Sequence, residues 1–222
     1  MIRSETRRKI KKLVTLALFC AMAYVVMLVF HIKVSFLTFE AKDAVITLAA
    51  MIYGPVAGLI VAFIVTVLEM FTVSETAIYG WIMNFTAAAV FSVTSSLIYS
   101  RIRKTWGAIT GLAVAVVTMT VSMILLNLLI TPIYANTTRE VVISMIPGLL
   151  LPFNLIKATL NAALVMVFYK PITSALRSAR LLDHNPAYDY KLKGKSIAVL
   201  ITSIVVAVAC VLVLIFVLGG HF

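Results

Sequence analysis

The stretch PGLLLPFNLIKATLNAALVMVFY, from Pro147 to Tyr169, decides how the whole chain reads. It is an apolar run of membrane-spanning length, because about 20 apolar residues cross the hydrocarbon core of a bilayer. Yet it holds a lysine in its interior. Asn154, Lys157 and Asn161 recur at i, i+3 and i+7, which puts all three on one face of a helix. A cation and two amides on one stripe do not sit comfortably against lipid. They belong in a bundle interior or a wet cavity, and a lysine there points to function.

The rest of the chain agrees with a membrane setting. Its 222 residues are 63% hydrophobic and only 12% charged, and mean hydropathy is +1.10. Soluble domains carry about a quarter charged residues, so a soluble fold is excluded, as are disorder, collagen, coiled coil and a disulfide scaffold. Cys20 and Cys210 lie in apolar runs and read as small buried hydrophobes. Further apolar runs are Leu13 to Phe30, Ile78 to Tyr99, Gly107 to Ile130 and Ile197 to Leu218. The block from Ala44 to Phe71 is too long for one span and breaks at Tyr53-Gly54-Pro55, since glycine ends helices and proline cannot donate a backbone hydrogen bond. It resolves into a short helix, Asp43 to Tyr53, and a longer one, Pro55 to Phe71. The expectation is an all-α integral membrane protein with seven spans. The first run follows a basic cluster like that of a signal peptide. No convincing cleavage site follows it, and the remainder is equally apolar, so it reads as a retained span.

Basic residues set the orientation. Of the nineteen, fifteen fall on one side of a seven-span arrangement: Arg3 to Lys12, Arg101 to Lys104, and Lys170 to Lys195. Lys33, Lys42 and Arg139 fall on the other, and Lys157 lies within a span. The positive-inside rule then makes the amino terminus cytoplasmic and the carboxyl terminus external. The net charge of +11 reflects this asymmetry and suits anionic lipid at the inner surface. Nucleic acid is not an expected partner, since no folded basic domain is present.

The remaining intramembrane polar residues, Glu69, Asn84 and Asn127, lie in the outer halves of their helices, which suggests a pocket open to the outside. Asn84 and Asn161 read as interhelical hydrogen-bonding groups. Glu69 is either a rim charge or a counter-ion of Lys157. The first outer loop, Ser35 to Asp43, alternates apolar and polar residues. Its aromatics either anchor it at the interface or form a lid, and Asp43 reads as the cap of the helix that follows. Ala17 with Ala21, Gly54 with Gly58, and Gly107 with Gly111 are small-residue pairs that allow close helix approach. Gly194-Lys195-Ser196 lacks the first glycine of a phosphate-binding loop. His31, His184 and His221 are scattered, so no metal site is expected, and no catalytic nucleophile–base arrangement is visible. Asn136-Thr137-Thr138 matches a glycosylation acceptor, a motif too short to carry weight.

The order of these features resembles the substrate-binding S components of energy-coupling factor (ECF) vitamin transporters, specifically the riboflavin family. The resemblance covers about Arg7 to Pro171. Its most specific piece is Pro152-Phe153-Asn154-Leu155-Ile156-Lys157, supported by the loop Phe36 to Asp43, the Gly54-Pro55 turn, Asn127 and the Ala17/Ala21 pair. It implies a six-helix substrate-binding domain over residues 13–171 between a basic amino terminus, 1–12, and a cytoplasmic linker, 172–196. It implies that riboflavin is a transported ligand and not a cofactor. The implied binding residues are Asn127, Asn154 and Lys157, with Thr38, Phe39, Glu40 and Ala41 of the closing loop. The implied partners are a transmembrane coupling protein, packed on Ala17 and Ala21, and two cytoplasmic ATPases. The chain departs from the family in its seventh helix and short outer tail, residues 197–222. The competing expectations are an S component for another vitamin or flavin precursor, a membrane-embedded enzyme, and a solitary secondary transporter. An enzyme has only Glu69 and Lys157 to draw on.

Overall fold

The computed structural model describes residues 2–74, 76–182 and 194–213. Helix dominates. The first, α1 (Ile2–Val29), carries the basic cluster on its opening turns and runs straight into the apolar segment. An antiparallel hairpin follows, β1 (His31–Val34) and β2 (Leu37–Glu40), in the register His31 to Glu40 and Ile32 to Phe39. The chain is mostly helical as expected, and the hairpin adds two short strands where the sequence reads as a loop. The alternation that suggested a loop is a strand signal, with Leu37 and Phe39 facing inward, and Ser35 takes a left-handed φ of 57° to close the turn.

Next come α2 (Lys42–Tyr53), α3 (Pro55–Thr72), α4 (Ala77–Arg101) and α5 (Thr105–Tyr134). Gly54 separates the first two as expected, at a φ of 96° that a side chain would strain, and Pro55 starts α3 where its missing N–H is harmless. The sixth apolar run is longer than its sequence limits. Helix α6 (Arg139–Met145) passes through a π-helical turn, Ile146–Leu150, into α7 (Leu151–Ser178). Pro147 and Gly148 sit in that turn, where a proline removes one rung of the hydrogen-bond ladder. Finally, α8 (Gly194–Val213) packs on α7. Residues 183–193 of the linker and 214–222 of the seventh run lie outside the described residues.

Among the described residues, five helices are long and apolar enough to cross a membrane: Glu5–Val29, α3, α4, α5 and Arg139–Ser178. The 12 residues of α2 span only about 18 Å at the usual helical rise. Short as it is, that helix lies at the centre of the bundle. Every residue from Lys42 to Met51 is buried, and α1, α3, α4 and α7 surround it. In lipid, helices associate by close packing and not by apolar burial, and glycines make that possible here. A Cβ on Gly58 would press on Ala50 and lie 3.3 Å from the Ser92 hydroxyl. One on Gly111 would come within 2.8 Å of the Ser95 carbonyl. On the other side of α7, an apolar groove of about 540 Å³ runs between α5, α7 and α8.

Candidate functional site

The stripe on α7 turns inward as its spacing required. Asn154, Lys157 and Asn161 are all buried, Lys157 to 5% exposure. The Lys157 ammonium donates to the Thr38 carbonyl at 3.1 Å. Asn161 donates from Nδ2 to the Glu40 carbonyl at 3.1 Å, and its Oδ1 accepts from the Ala44 N–H at 2.9 Å. The second bond has a local cause. The first N–H groups of a helix have no partner within it, and α2 starts behind Ala41, which offers no capping side chain. The Ala44 N–H reaches the Ala41 carbonyl only at 3.3 Å, and Asn161 supplies a closer acceptor from across the bundle. Asp43, expected to cap α2, does not do so; it lies inside the first turn. One helix thus holds the hairpin and the start of α2 together.

A second network ties the hairpin to the other side. Lys42 forms ion pairs with Glu40 on β2 and, at 2.7 Å, with Glu69 on α3. Asn84 on α4 donates to the other Glu69 oxygen. His31 Nδ1 lies 3.4 Å from Glu40, across the hairpin register. Burial alone would push the Glu40 carboxyl up, but Lys42 and Lys157 outweigh it and hold the group at about 2. Two sequence readings are corrected. Lys42 is not a loop charge on the outer surface; it is 1% exposed. Glu69 pairs with Lys42, which settles its alternatives of rim charge or counter-ion of Lys157 in favour of neither.

Among the other sequence-selected residues, Asn127 is fully buried on α5. It donates to the Met123 carbonyl and accepts from the Thr131 hydroxyl at 2.9 Å, which fixes its amide. Asn154 is oriented in the same way by the Leu150 carbonyl. Thr38, Phe39, Glu40 and Ala41 sit on β2 and at its junction with α2. Phe39 packs in an apolar cluster with Leu37, Val142, Leu150 and Phe153, and Phe36 lies partly buried against it. The hairpin therefore closes over α7 with an apolar patch on one part and a polar patch on another. Ala17 and Ala21 stand apart, exposed on the outer face of α1, while Leu16, Phe19 and Ala23 face the bundle. Sequence reasoning missed Lys42 as an interior charge. The signal was its place between two acids, Glu40 and Asp43, in a segment otherwise apolar.

A helical membrane bundle that clamps an extended lid over buried amides and a lysine has the form of a small-molecule binding subunit. Residues 11–169 match the family described as "ECF transporter, substrate-specific component", and the chain belongs to that family. It is 31% identical to the riboflavin transporter RibU of Staphylococcus aureus (strain TCH60) over 75% of this chain and 93% of that one. It is 29% identical to the riboflavin transporter FmnP of Bacillus subtilis (strain 168) over 78% of this chain and 99% of that one. The solved structure of the S component of a bacterial ECF transporter superposes with a TM-score of 0.65 at 30% identity, covering 76% of this chain and 99% of its own.

Proposed function

We propose that this chain is the riboflavin-binding S component of an ECF-type uptake transporter of the bacterial cell membrane. The observation that carries the reading is the inward stripe of α7, whose Lys157 and Asn161 hold the hairpin closed over the interior. The relatives named riboflavin transporters supply the ligand. Flavin chemistry fits these residues. The polar edge of the ring system alternates acceptors with one N–H, and a carboxamide offers both a donor and an acceptor. Asn127 and Asn154 are assigned to that edge, and Lys157 to an acceptor atom of the ligand. Phe36 and Phe39 supply the apolar wall for the dimethylbenzene end. Thr38, Phe39, Glu40 and Ala41 form the lid.

In this reading residues 13–171 are the binding domain, the amino terminus is cytoplasmic, and α8 is a seventh span that takes the carboxyl terminus outside. The chain is not an enzyme and carries no cofactor. Transport is powered by two cytoplasmic ATPases acting through a transmembrane coupling protein that docks on Ala17 and Ala21. The test is a riboflavin titration of the purified chain, followed by uptake into vesicles. Saturable one-to-one binding is expected, with no accumulation until the coupling module and ATP are added. An equilibrium shifts only by differential affinity, so a ligand-binding subunit alone cannot concentrate its ligand. Accumulation by this chain alone, without an ion gradient, would overturn the reading, as would the lack of flavin binding.

A further inference from the structure

The buried charges around the hairpin do not pair off evenly. Glu40 and Glu69 share Lys42. The third acid, Asp43, is 2% exposed on the first turn of α2, and neither of its carboxylate oxygens has a hydrogen-bond donor among the described residues. Lys157 and Lys42 are its neighbouring cations, but the Lys157 ammonium gives its hydrogen bond to the Thr38 carbonyl and Lys42 pairs with Glu40 and Glu69. One turn further along α2, on the same face, Thr47 is fully buried and its hydroxyl is likewise without a partner. A carboxylate taken out of water without donors is strongly disfavoured, and two unsatisfied side chains at i and i+4 on one buried face mark a surface built to meet something polar.

We infer that Asp43 and Thr47, with Lys157, form the subsite that recognises the polyol side chain of the ligand, Asp43 by accepting hydrogen bonds from its hydroxyls. The inference rests on the riboflavin reading and deepens it. The amides of Asn127 and Asn154 match the ring's polar edge, and the phenyl rings of Phe36 and Phe39 its apolar end. What is left of riboflavin is the ribityl chain, in which every hydroxyl both donates and accepts. A carboxylate only accepts, an ammonium only donates, and a threonine hydroxyl does both. That set satisfies a row of hydroxyls and offers little to a methyl group. The α2 face is also rigid. Asn161 pins the Ala44 N–H beside Asp43 and the Glu40 carbonyl before it, so the backbone that carries Asp43 is fixed before the ligand arrives, which favours binding by sparing an ordering cost.

The experiment compares riboflavin with lumiflavin, which keeps the ring system and carries a methyl in place of the ribityl chain. Both are titrated by flavin fluorescence into wild type, Asp43→Ala, Asp43→Asn and Thr47→Val. For Asp43→Ala, riboflavin affinity is expected to fall roughly ten- to a hundredfold, the range for a lost hydrogen bond to a charged group, while lumiflavin affinity stays within about twofold. Asp43→Asn and Thr47→Val are expected to show the same selective loss at smaller size. Retained lumiflavin binding is itself the proof that each variant is folded. Equal loss of both flavins in all three variants, or no loss of either, overturns the polyol subsite. If wild type binds neither flavin, the functional reading falls first and takes this inference with it. If wild type binds riboflavin and the variants do not discriminate, only the inference falls.

Discussion

Two helices of this bundle carry short sequence patterns at helical spacing, and the fold uses them in opposite ways. On α7, Asn154, Lys157 and Asn161 turn inward, and each is hydrogen-bonded within the chain. On α1, Ala17 and Ala21 turn outward, beside exposed Leu13, Leu18 and Val25. Polar groups cannot be left in hydrocarbon, so the protein must satisfy the first stripe itself. Alanines need no partner, so the second stripe can stay open for another helix. On the proposed function, ligand capture and partner docking fall on different surfaces, and substitutions should separate them cleanly.

The sharpest way to test the inward side is through the ion network beneath the hairpin. Lys42→Met leaves Glu40 and Glu69 facing each other without their shared cation. Breaking a buried ion pair by removing one partner costs about 3–5 kcal/mol, so the variant is expected to unfold or lose its hairpin well below the wild-type transition in detergent. Adding Glu40→Gln and Glu69→Gln to Lys42→Met should recover most of the loss, since three neutral side chains carry no uncompensated charge. Thermal denaturation of the three forms provides the check. An unchanged transition in Lys42→Met would mean that the network contributes nothing to closure.

Lys157→Ala comes next. It removes one charge and one bond to the Thr38 carbonyl, and the fold keeps its Asn161 bonds to the hairpin and α2. The expected outcome is a folded protein whose riboflavin affinity falls by about 1.5–3 kcal/mol, roughly ten- to a hundredfold. A titration on the purified variant decides it. Wild-type affinity would shift the binding role away from the α7 stripe.

Acid gives a smaller and graded effect. Glu40 is held at about 2, below its ordinary value of 4.5, by the two lysines despite its burial. A depressed carboxylate adds stability that is fully present above its unfolded value and is lost as pH falls through the folded one. The share of the clamp that Glu40 contributes should therefore be fully present above about pH 4.5 and be lost progressively toward pH 2. Amide hydrogen exchange of β1 and β2 should quicken over that window, and Glu40→Gln should flatten the response. Exchange that is indifferent to pH, after correction for intrinsic rates, would detach Glu40 from closure.

How much of this was legible in the sequence differs between the same two regions. The membrane class, the Gly54-Pro55 break and the inward face of α7 follow from hydropathy, helix-breaking residues and the cost of a lysine in lipid, all local properties. The hairpin was less legible. Its alternation was visible from Ser35 to Asp43, but an isolated two-stranded ribbon is stable only when something covers it, and what covers it is α7, more than a hundred residues away in the chain. Lys42 was misread for the same reason. A charge between the first apolar run and the short helix looks like an outer-loop charge until the fold brings Glu69 to it. The alanine pair on α1 was legible as a small-residue pattern, but which way it faced depended on where Leu16 and Phe19 packed.

The outward side is tested by the substitution with the least effect on the isolated protein. Ala17→Leu, Ala21→Leu and the double variant add bulk to a face that already borders Leu13 and Leu18, so no cavity is made and no packed neighbour displaced within this chain. Stability and riboflavin affinity are expected to stay within about twofold of wild type, because surface changes away from caps, charges and core are close to neutral. Uptake in cells should fall sharply all the same. Close helix approach in membranes depends on small residues at the crossing point, and a leucine on either turn would hold a coupling helix away. Pull-down of the coupling module by the double variant provides the direct measurement. Intact assembly and uptake would show that the partner docks elsewhere. A variant that loses riboflavin affinity would show that the two faces are coupled through α1, and the separation of capture from docking would no longer stand.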